Sequence, residues 1–426
     1  MRSILILASL IITLLAEPAP AQLPVPLDVP DISTGRLGDQ LRDRVQQTDR
    51  SLRRVRRDTL DQLLRANPRR LERGPGRTVI LRSQITAVAP STEVLTQILA
   101  AGFSLLSQRE LSGLGVNMLV LNAPPALSTR RALDLVRRLD PGGVYDFNHL
   151  YSQSGTGLAA AATTDPAPSS AAGQYRIGLI DTGIDTHHPD FAGGEILTRA
   201  FEGQTYSPAP HGTEIASLLV GRSDRLGAVL PGATLLSADI YGGDPTGGSV
   251  STLLAALGWM AEEHVAVINI SLVGPDNRVL ARIVAMMVAR GHILVAAVGN
   301  DGPAANPLYP AAYPGVVGVT GVDARGRVLP EACRGDHVDI AAPGIRRYAA
   351  EPGGGDVAVR GTSFAAPYVT GLLAAQISRP DPQAAARAIE ALLASAEDRG
   401  RRGRDRTYGA GTIGLAQISA AETASR

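Results

Sequence analysis

The chain has 426 residues, 44% hydrophobic and 19% charged, which gives room for two or three domains and a large core. A formal net charge of +1 and only 4% aromatics argue against a partner recruited by a global field or by ring stacking, nucleic acid included. All 41 basic residues are arginine, which reads as coding bias first, and the lone Cys333 excludes an internal disulfide.

In chain order, Arg2, the apolar run 4–16 and the small-x-small triplet Ala19-Pro20-Ala21 have the layout of a secretory signal, residues 1–21. The apolar run falls short of the roughly 20 residues that a transmembrane helix needs. The expectation is a secreted or periplasmic protein without stable membrane association. Residues 22–75 then read as a polar helical arm. Its thin stripe of Leu37, Leu41, Val45, Leu52, Val55, Leu60 and Leu63 is stopped by Asn67-Pro68.

Residues 76–151 carry a strand at 78–82, a helix at 92–100 and strands at 103–109 and 116–122. A second helix at 129–139 and a short strand at 143–147 follow. The order β-α-β-β-α-β is that of a small ferredoxin-like α+β domain. Residues 152–173, rich in Ala, Ser, Thr, Gly and Pro, read as a linker.

From residue 174 to 420 the pattern changes to apolar strands at 175–180, 234–240, 265–270, 293–298 and 316–322. Helices are predicted between them near 211–220, 249–262 and 277–290. Continuous apolar strands crossed by helices imply a buried, mostly parallel sheet, hence a doubly wound α/β domain. Such sheets bind ligands at the carboxyl ends of their strands. Asp181 and Asn300 both fall there.

Four local motifs at element boundaries carry the chemistry: Asp181-Thr182-Gly183, His211-Gly212-Thr213, Gly299-Asn300-Asp301-Gly302 and Gly361-Thr362-Ser363-Phe364-Ala365-Ala366-Pro367. A serine hydroxyl needs a base to take its proton and an acid to orient that base. Ser363, His211 and Asp181 supply those groups, while the Asn300 amide and the Ser363 N–H can face a developing oxyanion. Singly, each motif is more often a turn or a helix start. Together, in this order, they describe a hydrolase.

These segments resemble the subtilisin-like serine proteases, whose Asp, His, Ser order they share. The likeness extends through Asn269-Ile270-Ser271-Leu272, Ala341-Ala342-Pro343-Gly344 and Tyr408-Gly409-Ala410-Gly411, over about residues 174–418. It implies a secreted endopeptidase acting on polypeptides, a monomer with no required cofactor, structural calcium being common in the family. Substrate would add as a strand along 271–274, with Ser271, Leu272, Gly274, Ala297 and Gly299 as its binding residues. It also implies that 76–151 is an inhibitory propeptide, with Asn148-His149-Leu150-Tyr151 as its tail and self-cleavage after Tyr151. The rival readings are a stably inhibited or inactive binding protein and a serine esterase.

The chain departs from the family pattern at Val273, where glycine is more frequent, at Glu214 in place of a second histidine, and at Ser217 in place of glycine. Asp190 matches an acidic position near a family calcium site, but the neighbouring loop 221–225 carries two arginines. His187-His188 with Asp190 reads as a surface turn, Cys333 as a buried small residue, and 401–406 as a solvated loop.

Overall fold

The computed structural model describes residues 58–153, 156–158, 175–223, 227–244 and 246–414. The signal, most of the arm and most of the linker lie outside the described residues. Among those described, no helix is long and apolar enough to cross a membrane.

A helix at 58–66 (α1) leads into β1 (Leu71–Arg73), which pairs antiparallel with the long strand β2 (Val79–Val88). Then come α2 (Thr92–Ala100), β3 (Ser104–Leu111), β4 (Val116–Asn122), α3 (Thr129–Leu139) and β5 (Tyr145–Gln153). The antiparallel order β5-β2-β4-β3 is that of the split βαβ unit. Ser91 and Ser128 cap the two helices, which close one face of the sheet over Ile85, Ile98, Leu121, Leu133 and Val136. Its other face, with Leu111, Leu114 and Met118, belongs to the core of the larger domain.

Two strands are longer than their sequence suggests. β2 runs six residues past the predicted 82 because its register shifts between Ile80 and Ile85, which interrupts the apolar alternation. β5 continues to Gln153 inside the predicted linker, since its last residues pair with strands from the other domain.

After the backbone strand β6 (Thr156–Leu158) comes the main sheet. It consists of β7 (Arg176–Asp181), β8 (Ile196–Ala200), β9 (Thr234–Asp239), β11 (Val267–Ile270), β13 (Ile293–Ala297), β14 (Val317–Val322) and β15 (Ile340–Pro343). Their order is β15-β14-β13-β11-β7-β9-β8 and every pairing is parallel. Helices α4 (Pro210–Val220), α7 (Ala366–Ala374) and α8 (Pro382–Ala394) cover one face, packing on Ile177, Leu179 and Val295. Helices α5 (Val250–Glu262) and α6 (Arg278–Ala289) cover the other, on Ile180, Ile268 and Leu294. Alternate strand residues therefore face two apolar layers, which is why the strands read as unbroken hydrophobic runs.

β7 begins the domain yet sits inside the sheet, with β9 and β8 to one side and β11, β13, β14 and β15 to the other. This reversal of winding direction opens a crevice beyond the carboxyl ends of the central strands. The short strands β10 (Gly248–Ser249) and β12 (Leu272–Val273) border that crevice, and the hairpin of β16 (Ile345–Ala350) and β17 (Asp356–Arg360) leads to Gly361.

Candidate active site

Asp181 is the last residue of β7 and is fully buried. Its Oδ1 accepts the Thr182 N–H at 2.7 Å, which fixes the carboxylate, and both its oxygens receive His211 Nδ1, at 2.8 and 3.0 Å. His211 lies in the first turn of α4, started by Pro210, whose missing N–H costs a helix nothing at that position. The two elements are locked together: Thr182 Oγ1 accepts Gly212 N–H at 2.8 Å. A Cβ on Gly212 would lie 2.3 Å from the Thr182 carbonyl oxygen, so only glycine permits the approach.

Ser363 sits not at the start of α7 but in a single 3-10 turn, Thr362–Phe364, just before it. Gly361, at φ 142°, makes the bend that follows β17. A buried relay of polar groups holds the turn. Thr370 Oγ1 donates to Asn269 Oδ1 (3.1 Å), Asn269 Nδ2 to Ser271 Oγ (2.8 Å), and Ser271 Oγ to the Ser363 carbonyl (3.0 Å). The Phe364 ring packs with its centroid 5.5 Å from that of His211. Among the described residues, Ser363 Oγ and His211 Nε2 are buried polar atoms that make no hydrogen bond. Buried polar groups are normally paired, so two such atoms in one site mark a functional place.

Asn300 follows β13, and its Oδ1 accepts the Thr362 N–H at 3.2 Å, which makes Nδ2 the donor end of the carboxamide. Gly299 adopts φ 100°, and a Cβ there would meet Leu308 Cδ1 at 2.5 Å and Cys333 Sγ at 3.3 Å. The Gly299 N–H donates to Thr362 Oγ1. Ala297 is buried within the ladder to β14.

The structure thus brings Asp181 and His211 into contact and ties Asn300 to the serine turn. The relay through Asn269 and Thr370, and the clamps at Thr182 and Thr362, escaped the sequence reading. They are small polar residues inside apolar or glycine-flanked segments, and only the strong bias against unpaired buried polar groups could have pointed to them.

Comparison with known proteins gives the site its context. Residues 173–411, more than half of the chain, match the Subtilase family. The chain belongs to the subtilase family. It is 28% identical to subtilisin E of Bacillus subtilis over 274 residues, 61% of this chain and 71% of that protein. It is 33% identical to subtilisin-like protease 1 of Trichophyton rubrum over 215 residues, 48% of this chain and 42% of that one. Fervidolysin from Fervidobacterium pennivorans shares the fold at TM-score 0.64 and 20% identity, over 79% of this chain and 60% of its own. The prenylagaramide maturation protease PagA superposes at TM-score 0.50 and 26% identity, over 58% of this chain and 93% of its own.

Within this subtilase the departures acquire physical content. Burial pushes the His211 imidazole down, but the Asp181 carboxylate, its hydrogen bond and the charge of Glu214 raise it overall above its ordinary value. Glu214 is itself pushed up to about 6 by burial, against the pull of His211. Ser217 donates to the Glu214 carbonyl (2.7 Å) and accepts the Ala350 N–H (2.9 Å), so its hydroxyl ties α4 to β16.

Two residues expected along the substrate groove have partners within the chain. Gly274 does not extend the β12 ladder: its N–H and carbonyl are both taken by Tyr309, at 2.9 and 3.0 Å. Its contribution is space, because a Cβ there would lie 2.6 Å from the Tyr151 ring. Ser271 turns its hydroxyl to the serine loop, as above.

His188 is buried rather than part of a surface turn, because Nε2 lies 3.0 Å from the Gly355 carbonyl and Nδ1 accepts the Asp190 N–H. Asp190 has its carboxylate 3.4 Å from His188 Nδ1. Among the described residues no group of three or more His, Cys, Asp or Glu is placed to hold a metal ion. Cys333 is buried. The loop 401–406 is largely exposed, with Arg404 and Arg406 paired to Asp339 and Asp336.

Proposed function

We propose that this subtilase is a secreted or periplasmic endopeptidase in which Ser363 is the nucleophile, His211 its base and Asp181 the group that orients the base. The observation that carries the reading is the buried Asp181–His211 pair at 2.8 Å, with the far ring nitrogen and the Ser363 hydroxyl both unpartnered. Ser363 Oγ attacks a peptide carbonyl and passes its proton to His211 Nε2. Asp181 holds Nδ1 protonated, which leaves Nε2 free to accept, and steadies the imidazolium. The Asn300 Nδ2 and the Ser363 N–H receive the oxyanion. His211 then protonates the leaving amine, and water releases the acyl group by the reverse sequence.

The 76–151 module serves as an intramolecular inhibitor. Its last strand supports this: Leu150 and Tyr151 pair antiparallel with Ser249 and Gly248, and Ser152 and Gln153 with Val273 and Leu272. An extended peptide held between two short strands is how a substrate main chain would be read. Ser152, Gln153, Thr182, Val273 and Asn300 line one cleft.

The test compares purified wild type with Ser363→Ala for hydrolysis of an unfolded protein and for labelling by a fluorophosphonate. Wild type should cleave and label; the variant should do neither. Labelling with ester turnover but no peptide cleavage would favour an esterase, and no labelling after removal of the module would favour a binding protein.

A further inference from the structure

The space beside the oxyanion asparagine is filled by this chain's own side chains, and that limits what the site can cut. We propose, on the protease reading above, that Val273 and Leu308 plug this space. The enzyme then cleaves after glycine, alanine or serine and not after large apolar or aromatic residues.

The groups that act on the bond fix where its neighbour must go. In the proposed mechanism the attacked carbonyl lies between Ser363 Oγ and the Asn300 amide. Gly299 immediately precedes Asn300, and β12 (Leu272–Val273) borders the crevice opposite it. The side chain next to that carbonyl therefore enters between β12 and Gly299. A Cβ built on Gly299 would meet Leu308 Cδ1 at 2.5 Å, Cys333 Sγ at 3.3 Å and Val273 Cγ1 at 3.5 Å. Three buried side chains from three separate segments thus converge on one glycine. Among the described residues the cleft wall includes Val273, Leu308 and Asn300 but neither Gly299 nor Ala297, which are buried.

The plug is also held in place. Val273 is β-branched, hence stiff at χ1, and its strand pairs with Ser152. Leu308 precedes Tyr309, whose N–H and carbonyl both pair with Gly274, at 3.0 and 2.9 Å. The Leu308 carbonyl accepts the Ala312 N–H at 3.1 Å. At 3% and 8% exposure, Val273 and Leu308 offer a substrate only their outermost atoms. A methyl or hydroxymethyl group can rest on those atoms. A phenyl or isobutyl group would need their volume, which a close-packed interior does not yield without strain. Val273, Leu308 and Cys333 carry no charge, so a lysine or glutamate side chain would lose its water there without gaining a partner.

The experiment digests a denatured protein with active enzyme prepared from the full-length chain and reads the residue before each cut by mass spectrometry. Matched peptides with Ala or Phe at that position then give kcat/KM for wild type, Val273→Gly, Leu308→Gly and the double variant. Wild type should cut after Gly, Ala and Ser, and favour Ala over Phe by at least about a hundredfold. Each single variant should move that ratio toward Phe by about tenfold or more, and the double variant further. Loss of folded enzyme lowers both rates alike and leaves the ratio untouched, so a merely structural role would not produce this shift. Cleavage after Phe or Leu as readily as after Ala by wild type would overturn the plug and leave the protease reading standing. So would a small-residue preference that is unchanged in all three variants. No cleavage of any substrate, together with no labelling of Ser363 by a fluorophosphonate, would overturn both.

Discussion

At the residue scale, the Asp181 carboxylate, His211 Nδ1 and Asn300 Oδ1 each have a partner that fixes what the group can do, and this turns geometry into expected kinetics. Asp181 forces His211 into the tautomer that accepts at Nε2. Asp181→Asn should keep the fold and lower kcat by about four orders of magnitude with little change in KM. In the proposed mechanism Asn300→Ala removes one oxyanion donor and should lower kcat by roughly 10²–10³-fold, again with KM nearly constant. A comparable loss in KM instead would show that Asn300 holds ground-state substrate. Glu214 acts at longer range. Its negative charge helps to hold the His211 pKa above the ordinary value. Glu214→Gln should therefore move the acid limb of the kcat/KM profile to lower pH, since more acid is then needed to protonate the base. An unshifted limb would show that Glu214 is protonated at the pH of the limb, as its own raised pKa of about 6 allows.

At the element scale, the site is built from terminations: the end of β7, the first turn of α4, the residues after β13 and the turn before α7. Glycine decides where these ends can meet. Gly299 combines φ 100° with a neighbour 2.5 Å from any Cβ. Gly299→Ala should lower stability by about 1–3 kcal/mol, the cost of such backbone strain, read as a lower Tm of the Ser363→Ala background. The same terminations explain what the sequence revealed. β7, β9, β11, β13 and β14 are sheathed on both faces, so their composition alone announced a parallel sheet, and Asp181 and Asn300 could be placed at strand ends. His211 and Ser363 were legible because tight turns need glycine beside them. The end of β5 was not. Tyr151, Ser152 and Gln153 have no periodicity of their own, and their order comes from Gly248 and Val273, about a hundred residues away in sequence. Local propensity carries no trace of such long-range pairing. Asn269 and Thr370 were hidden for a similar reason, since a buried polar relay is visible only once both ends are in place.

At the scale of the whole molecule, β5 joins the two domains by reading the starts of two helices. Asn148 Oδ1 accepts the Ser251 N–H at the start of α5, and Asp146 Oδ2 accepts the Arg278 N–H at the start of α6. These side chains satisfy groups that the helices leave open and place acceptors at their positive ends. Asn277, the cap of α6, uses its Oδ1 for Val279 and Leu280 and so must turn its Nδ2 to the Phe147 carbonyl and to His149 Nδ1, at 2.9 and 3.0 Å. A donor facing Nδ1 requires that nitrogen to be unprotonated. Burial pushes His149 down to about 4, although Asp146 and Asp276 pull the other way. The sign follows. An undocked His149 takes up its proton near the ordinary 6.5, while the docked one resists until about 4. Docking is therefore favoured fully above 6.5 and weakens as pH falls through this window. Hydrogen exchange of the segment 145–153 in full-length Ser363→Ala, corrected for intrinsic rates, should show protection at pH 7.5 that declines by pH 5. With His149→Gln added, the decline should largely vanish, because the neutral side chain has no proton to gain. Equal decline in both proteins would remove His149 as the group through which acid loosens the module.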